Sequence, residues 1–127
     1  MTIPLIGIVD DDTSVRDATS SLIRSAGYTS VVFESAEAFL NSGRVHEMDC
    51  LVLDIQLPGL NGLDLQRRLA EMRCTSPVIV VSADHETFQV RALEQGAVAV
   101  LKKPFSEEAF FSAIRSALKS SGTEEEP

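Results

Sequence analysis

The chain has 127 residues, of which 44% are hydrophobic and 24% are charged, and its formal net charge is −8. This composition is typical of one globular domain, and no apolar run reaches the ~20 residues that span a bilayer. The acidic balance argues against direct binding of DNA or RNA, because acidic side chains repel the phosphate backbone. Cys50 and Cys74 lack disulfide-framework and metal-ligand spacing, and the start of the chain lacks a signal-peptide pattern, so we expect a cytoplasmic protein.

Short apolar runs alternate with helical patterns along the chain. Residues 5–9 are predicted as a first strand, and the apolar residues after it recur at helical spacing until Gly27. Residues 31–33 are predicted as a weaker second strand. A short helix follows, with Ser35 as its cap and an acid in its first turn, and it ends near Gly43.

The same alternation continues through the second half of the chain. Strands are predicted at residues 50–53, 78–81 and 98–101, and the middle one is very rich in β-branched residues. Helices are predicted after Gly62, from about 86 to 95, and after Ser106, where two acids occupy the first turn.

Five successive β–α units predict an α/β fold. Strands that are apolar on both faces belong in a parallel sheet with helices on each side. The right-handed crossover rule then favours a flavodoxin-like (βα)5 three-layer sandwich with a five-stranded parallel sheet of order 2-1-3-4-5. We expect this domain to span residues 1–120, with residues 121–127 as a flexible tail or truncated linker.

Acidic side chains follow two of the predicted strands. Asp10 and Asp11 come after the first strand, and Asp54 comes after the third, shortly before a proline–glycine turn. These two strands are neighbours in the predicted order, and ligands bind at the carboxyl edge of such sheets where the order reverses. We therefore expect the three carboxylates to converge at one site.

Such a cluster predicts a Mg²⁺ site, with Mn²⁺ as an alternative cation. Mg²⁺ takes oxygen ligands in octahedral geometry and usually keeps several waters. Asp11 and Asp54 are the candidate direct ligands, and Asp10 is a ligand directly or through water. The backbone carbonyl of Gln56 is the last ligand that the protein would supply. The alternative is that Asp11 or Asp12 caps the next helix. For Asp12, helix capping and a place in the metal site are equally good interpretations.

Asp54 is also a candidate nucleophile. A carboxylate that attacks phosphorus forms an acyl phosphate, and a metal ion screens the charges that would otherwise repel one another. Lys103, after the fifth strand, and Ser82, after the fourth, bring an ammonium group and a hydroxyl to the same edge. Because Pro104 follows Lys103, a fixed backbone with a cis Lys103–Pro104 bond is expected.

These pieces together resemble the receiver domain of bacterial two-component response regulators, and the likeness covers residues 4 to about 120. The segments that carry it are Val9-Asp10-Asp11, the stretch from Asp54 to Gly62, Ser82-Ala83 and Lys103-Pro104-Phe105. Residues 35–40 and 96–98 are further similar to receivers of the nitrogen-fixation regulator type.

The resemblance implies a phosphoacceptor signalling switch. Asp54 would accept a phosphoryl group from a sensor histidine kinase, Asp10 and Asp11 would bind Mg²⁺, Lys103 would pair with the phosphate, and Ser82 would move onto it. The chain would assist its own phosphorylation and dephosphorylation without being a turnover enzyme. Phosphorylation would favour a homodimer through the face made by the fourth helix, fifth strand and fifth helix.

The resemblance also implies a transcriptional output. Receivers of this type usually precede a helix-turn-helix domain, which is absent from this chain. DNA would be contacted only through such an output domain, and no contact with a membrane is expected.

One position departs from the resemblance. Many receivers carry an aromatic residue three places before the lysine, and it turns inward on activation; Val100 occupies that place here. We therefore expect switching to depend on Ser82 and the loop that begins at Ala83, with a smaller or differently shaped change at the face of the fourth helix, fifth strand and fifth helix. The alternative, that Val100 is simply a buried strand residue, stays open. Asp84 and Gln56 flank the predicted site and are candidates for setting the phosphoryl lifetime, whereas His85 is expected to be incidental.

Three other functions compete with the switch. A small phosphatase with an aspartyl nucleophile would place a general acid two residues after the nucleophile, where this chain has Gln56. A flavin-binding module would need a phosphate-cradling loop after the first strand, where the acidic run repels phosphate. A phosphorylation-independent binding module would not need the complete set of candidate residues.

Overall fold

The computed structural model describes residues 3–57, 59–83 and 86–121. Its strands are β1 (Leu5–Val9), β2 (Thr29–Phe33), β3 (Cys50–Asp54), β4 (Val78–Ser82) and β5 (Ala99–Lys102). Its helices are α1 (Thr13–Ser25), α2 (Ala36–Leu40), α3 (Gly62–Glu71), α4 (Glu86–Glu94) and α5 (Glu107–Ser121), with a 3₁₀ turn at Val45–Glu47. Strands and helices therefore alternate as the sequence predicts. No helix within these ranges is long and apolar enough to cross a membrane.

The strands form one parallel sheet in the order β2-β1-β3-β4-β5, which confirms the predicted topology. Because β1 lies between β2 and β3, the carboxyl ends of β1 and β3 are adjacent, and Val9 pairs with Leu53. Asp54 pairs with Val81 on β4, and the next residue, Ser82, pairs with Lys102 on β5. The candidate residues therefore share one edge of the sheet.

Two hydrophobic clusters cover the two faces of the sheet. Successive strand residues point to opposite faces, so Leu53 packs with residues of α2, α3 and α4, and Val52 packs with residues of α1 and α5. Phe39 is fully buried in the first cluster and Phe110 in the second. This arrangement confirms the predicted three-layer sandwich.

Polar side chains begin three of the helices. Asp12, Ser35 and Asn61 each accept a hydrogen bond from the backbone N–H three residues later, at the start of α1, α2 and α3 respectively. Such caps satisfy an N–H group that has no partner within the helix. Asp12 is thus a helix cap, which decides the alternative that the sequence left open for this residue.

The predicted boundaries differ from the observed ones mainly at β2 and β5. β2 is two residues longer at its start, because Thr29 and Ser30 pair with β1 although their polar side chains give no apolar signal. β5 begins and ends one residue later than predicted, since Lys102 continues the pairing with β4. Backbone pairing therefore extends both strands beyond their apolar runs.

Candidate functional site

Three carboxylates meet at the carboxyl edge of the sheet. One side-chain oxygen from each of Asp10, Asp11 and Asp54 lies within 4.8 Å of the other two. Asp10 and Asp11 follow β1, and Asp54 is the last residue of β3, so the pairing of these two strands brings the acids together. Asp10 and Asp54 are buried, whereas Asp11 is exposed to solvent.

Asp54 is held on both sides of its carboxylate. The backbone N–H of Gln56 donates to Oδ1 over 2.9 Å, and the ammonium group of Lys103 donates to Oδ2 over 3.3 Å. The side chain of Asp54 is only 10% exposed and that of Lys103 is 27% exposed, so this pair is shielded from bulk water. A carboxylate with both oxygens engaged has a defined orientation.

Asp10 lies where burial disfavours the charged form of its carboxylate. Burial raises the pKa of Asp10 above its ordinary value, the backbone N–H of Asp12 opposes this by donating to Oδ1 over 2.9 Å, and the neighbouring Asp54 raises the pKa further. Lys103 lies 3.7 Å from Oδ2 and partly compensates. One lysine therefore serves two buried acids, which leaves excess negative charge in the cluster.

The backbone around Lys103 links two strand ends. Lys103 and Pro104 are joined by a cis peptide bond, as the sequence predicts. The backbone N–H of Lys103 donates to the carbonyl of Ser82 over 2.8 Å. Ser82 is fully buried at the end of β4, one residue beyond the partner of Asp54 in the sheet. Asp54, Ser82 and Lys103 therefore lie at the ends of three adjacent strands, β3, β4 and β5.

Gly62 lets the loop after β3 close tightly on Asp54. A Cβ atom at Gly62 would lie 2.7 Å from the Cα atom of Ile55 and 2.8 Å from the backbone oxygen of Asp54. The backbone N–H of Gly62 donates to the carbonyl of Ile55 over 3.1 Å. Because the crowded atoms belong to the backbone, a larger residue would have to move the segment that carries Asp54 and Gln56.

Ala83 and Val100 are the remaining candidates that the structure describes, and their roles stay predictions. Ala83 is exposed directly after Ser82. Val100 is half-buried and packs against the cluster shared with α2, α3 and α4. Asp84 and His85 lie outside the described residues, as does the predicted tail from residue 122 onward.

Two residues around the site escaped the sequence analysis. Arg16 on α1 donates from Nη1 to the backbone carbonyl of Asp10 over 2.8 Å and from Nη2 to the hydroxyl of Thr13 over 3.0 Å. Glu37 on α2 accepts a hydrogen bond from the backbone N–H of Leu60 over 3.1 Å. An arginine one turn into the helix after an acidic run is a usable signal, whereas nothing in the spacing of Glu37 points to Leu60.

The donor set fits Mg²⁺. Octahedral Mg²⁺ with bonds of about 2.1 Å places its ligand oxygens roughly 3 to 4 Å apart, and the carboxylate oxygens of Asp10, Asp11 and Asp54 all lie within 4.8 Å of one another. The three carboxylates carry excess negative charge, and the raised pKa of Asp10 is one result of this crowding and of burial. A bound cation would offset that charge. Hard oxygen ligands without sulfur or imidazole favour Mg²⁺ or Mn²⁺.

Comparison with known protein families matches residues 6–115 to the response regulator receiver domain. The chain belongs to this family. The predicted membership is confirmed, and this receiver domain is therefore a signalling switch of the two-component type. The family is one of signalling receivers and not a family of enzymes.

Known relatives are similar to this receiver domain along most of its length. It is 45% identical over 116 residues to the response regulator protein TmoT of Ectopseudomonas mendocina, covering 91% of this chain and 53% of that protein. It is 32% identical over 115 residues to the transcriptional regulatory protein FixJ of Bradyrhizobium diazoefficiens, covering 90% and 56%. The receiver domain thus spans about half the length of the curated relatives it matches.

Solved structures share the fold. Response regulator StyR superimposes with a TM-score of 0.87 at 37% identity, over 95% of this chain and 62% of that one. The FixJ-N structure superimposes with a TM-score of 0.85 at 30% identity, over 94% and 96%. The similarity to FixJ in sequence and structure agrees with the expected likeness to receivers of the nitrogen-fixation regulator type.

Proposed function

We propose that Asp54 is the phosphoacceptor of this receiver domain and that the donor is a sensor histidine kinase. The observation that carries this proposal is the contact between Lys103 Nζ and Asp54 Oδ2, 3.3 Å long, at a carboxylate that shares a cluster with two further acids. A cation and a metal-binding set around one oriented carboxylate are the parts that phosphoryl transfer requires.

Asp10, Asp11, Asp54 and the backbone carbonyl of Gln56 would hold Mg²⁺, or Mn²⁺ in its place. The bound ion would screen the negative charge between the carboxylates and the incoming phosphoryl oxygens. Asp11 supports this role because it is exposed at the mouth of the cluster, where an ion enters without crossing the core.

In the transfer step, a carboxylate oxygen of Asp54 attacks the phosphorus of the phosphohistidine. The new O–P bond forms as the N–P bond breaks, and the electron pair of that bond stays on the leaving imidazole. Lys103 then pairs with a phosphoryl oxygen instead of with Asp54 alone. Attack by water on the phosphorus later restores Asp54 and releases phosphate. The chain would assist both steps at its own Asp54 without turning over a separate substrate, which would make it a switch and not a turnover enzyme.

The conformational readout would begin at Ser82 and Ala83. The hydroxyl of Ser82 moves onto the phosphoryl group, which carries the exposed Ala83 with it and biases a two-state equilibrium. Val100 packs on the α4 side of the sheet, so its role would be to accommodate that movement. Gln56 is exposed beside the site and would influence how long the phosphoryl group survives.

The kinase would bind to the surface beside Lys103, and the two proteins would meet in the cytoplasm. An apolar cleft of about 630 Å³ lies between α1 and the segment that follows β5, and its lining includes Val15, Leu22, Lys103 and Phe105. A donor protein must contact the surface around Asp54 to deliver a phosphoryl group, and this cleft offers apolar area directly next to it.

Phosphorylation would promote a homodimer through the face of α4, β5 and α5. Val90 and Leu93 on α4 are 52% and 51% exposed, and Val98, which precedes β5, is 40% exposed. Val90 and Leu93 are three residues apart on α4 and therefore share a face of the helix, and exposed apolar side chains that share a face mark interaction surfaces. This surface is named the α4–β5 patch.

The output would be transcription. FixJ and the relative TdiR are named transcriptional regulatory proteins, and the receiver domain covers about half of each. Residues 1–120 would act as the receiver unit and residues 121–127 as the start of a linker. DNA would be contacted through the output domain alone, and no membrane would be involved.

The test is incubation with Mg²⁺ and acetyl phosphate, followed by intact mass spectrometry. One phosphoryl group should be added to the wild-type chain, and none to Asp54→Asn or to a sample without Mg²⁺. Asp12→Asn is the matched control, because it changes a neighbouring acid to another good helix cap and should still be phosphorylated. Steady hydrolysis of the donor without an adduct would favour the phosphatase, and neither adduct nor hydrolysis would favour a binding module.

A further inference from the structure

The loop between β3 and α3 is tied to a helix that is distant in sequence. Glu37 on α2 accepts a hydrogen bond at Oε2 from the backbone N–H of Leu60, 23 residues later, over 3.1 Å. Gly59 lies against the same carboxylate oxygen, since a Cβ atom there would be only 2.7 Å from it. Gly59 also has a φ of +72°, which side-chain-bearing residues rarely adopt. The close approach therefore depends on the glycine.

The helix that presents Glu37 is firmly held. α2 begins at the Ser35 cap, and both Ala36 and Phe39 are fully buried. The ring of Phe39 packs against that of Phe33 on β2, with their centroids 5.0 Å apart. Glu37 itself is exposed, but it projects from a helix whose neighbouring residues are held by close packing.

The same loop carries the candidate metal ligand that comes from the backbone. Gln56 donates its N–H to Asp54 at the start of the loop, Leu57 is buried, and Gly62 donates to Ile55 at its end. Between these anchors Leu60 donates its backbone N–H to Glu37, and its side chain packs against the cluster that faces α2, α3 and α4. The hydrogen bond from Leu60 to Glu37 therefore fixes the backbone of a residue whose side chain already packs on this face of the sheet.

We propose that Glu37 is a positioning residue that clamps the loop between β3 and α3, and thereby sets the affinity of the acidic cluster for Mg²⁺. This inference rests on the proposed function, because it concerns the same metal site. It assigns to α2 a part in the chemistry at Asp54, although Glu37 touches neither the carboxylates nor Lys103. Residues that hydrogen-bond to a metal ligand typically contribute tenfold or more to metal affinity. Glu37 reaches the candidate ligand Gln56 only through the loop backbone, so an effect at the lower end of this range is expected.

The experiment compares the wild-type chain with Glu37→Ala, Glu37→Gln and Glu34→Ala. Glutamine keeps an acceptor for the Leu60 N–H but removes the charge, and Glu34 is an exposed acid three residues earlier that controls for the loss of charge. Two quantities are measured: Mg²⁺ affinity by calorimetry, and hydrogen exchange of the Leu60 amide without Mg²⁺. The Mg²⁺ dependence of phosphorylation by acetyl phosphate is followed separately.

Glu37→Ala should weaken Mg²⁺ binding about tenfold and speed exchange at Leu60, and saturating Mg²⁺ should restore phosphorylation. Glu37→Gln should stay near wild type, as should Glu34→Ala. Gly59→Ala provides a second approach from the opposite partner, because its new methyl group would displace the Glu37 carboxylate and should weaken Mg²⁺ binding as Glu37→Ala does.

Unchanged Mg²⁺ affinity in Glu37→Ala would overturn the inference, and so would an equal loss in Glu37→Gln, which would assign the effect to charge. If the wild-type chain bound Mg²⁺ in a Glu37-dependent way but took up no phosphoryl group, the inference would stand and the proposed function would fail. A wild-type chain that bound no Mg²⁺ would overturn both.

Discussion

Lys103 is the residue that allows two buried acids to coexist. Its ammonium group lies 3.3 Å from Asp54 and 3.7 Å from Asp10. Arg16 adds a second cation from α1, bound to the backbone carbonyl of Asp10 and not to its side chain. The site therefore combines three carboxylates with one lysine in direct contact, and this imbalance leads to a prediction about Asp10.

Replacing Asp10 by asparagine should stabilise the chain in the absence of Mg²⁺. The pKa of Asp10 is raised from 3.8 by burial and by Asp54, so folding takes up a proton at pH values between the unfolded-state and the folded-state pKa. The stability that protonated Asp10 contributes is present below pH 3.8 and is lost as the pH rises through the folded-state pKa. Asp10→Asn cannot ionise and keeps an acceptor for the Asp12 N–H, so we expect a gain of about 1 kcal/mol at neutral pH.

Urea unfolding at neutral pH and near pH 4, without divalent ions, measures this effect. The gain should shrink at the lower pH, where wild-type Asp10 takes up a proton. Asp17→Asn, at an exposed position of α1, should change the free energy of unfolding by less than about 0.5 kcal/mol. A less stable Asp10→Asn at neutral pH would contradict the charge imbalance in the cluster.

Between elements, α3 and α4 are joined by a buried polar contact. Gln66 on α3 is 6% exposed, and its Nε2 donates to the carbonyl of Ala92 on α4 over 3.1 Å. Its Oε1 accepts a longer bond, 3.5 Å, from Nε2 of Gln95 just after α4. A buried amide of this kind fixes the relative position of two helices because it would leave unpaired groups in any other arrangement.

Gln66→Ala should destabilise the chain by roughly 1–3 kcal/mol, because it removes a buried hydrogen bond and opens a cavity. Gln95→Ala is the matched variant: it removes the exposed partner of the same network and should have a much smaller effect on the free energy of unfolding. Denaturant unfolding of both variants decides the matter. Equal losses would show that the buried bond to Ala92 is not what joins α3 to α4.

In the whole molecule, the apolar α4–β5 patch stands out against an acidic surface with a net charge of −8. Like charges keep separate copies apart, so association would require a face where apolar contact outweighs repulsion. Val90, Leu93 and Val98 are the exposed apolar residues of that face. Phosphorylation at the other end of α4 would control whether this patch is presented.

Leu93→Lys should weaken phosphorylation-dependent dimerisation. Burying one leucine contributes about 1.5–3 kcal/mol, so its loss should weaken association at least roughly tenfold. Met72→Lys is the control, because Met72 is 39% exposed at the end of α3, a helix that is not part of the patch. Sedimentation velocity with and without acetyl phosphate and Mg²⁺ measures the change. If Leu93→Lys dimerised over the same range of protein concentration as the wild-type chain, this result would contradict the proposed interface.

Much of the fold followed from periodicity, because strands that are apolar on both faces and helices with a buried stripe leave few ways to assemble. The boundaries that differed, at Thr29 and Lys102, belong to polar residues whose pairing depends on a neighbouring strand. Local sequence carries no signal for such pairing, since it is decided by a backbone partner that lies elsewhere in the chain.

The sequence by itself determined the order of the elements and which strand ends carry Asp10, Asp54, Ser82 and Lys103, because parallel topology delivers all carboxyl ends to one edge. Only the tertiary structure decided the distances there, the buried bond from Gln66 to Ala92, and the contact of Glu37 with Leu60. The physical reason is range: periodicity reports which face of an element is buried, whereas these contacts depend on how helices and loops far apart in sequence pack against each other.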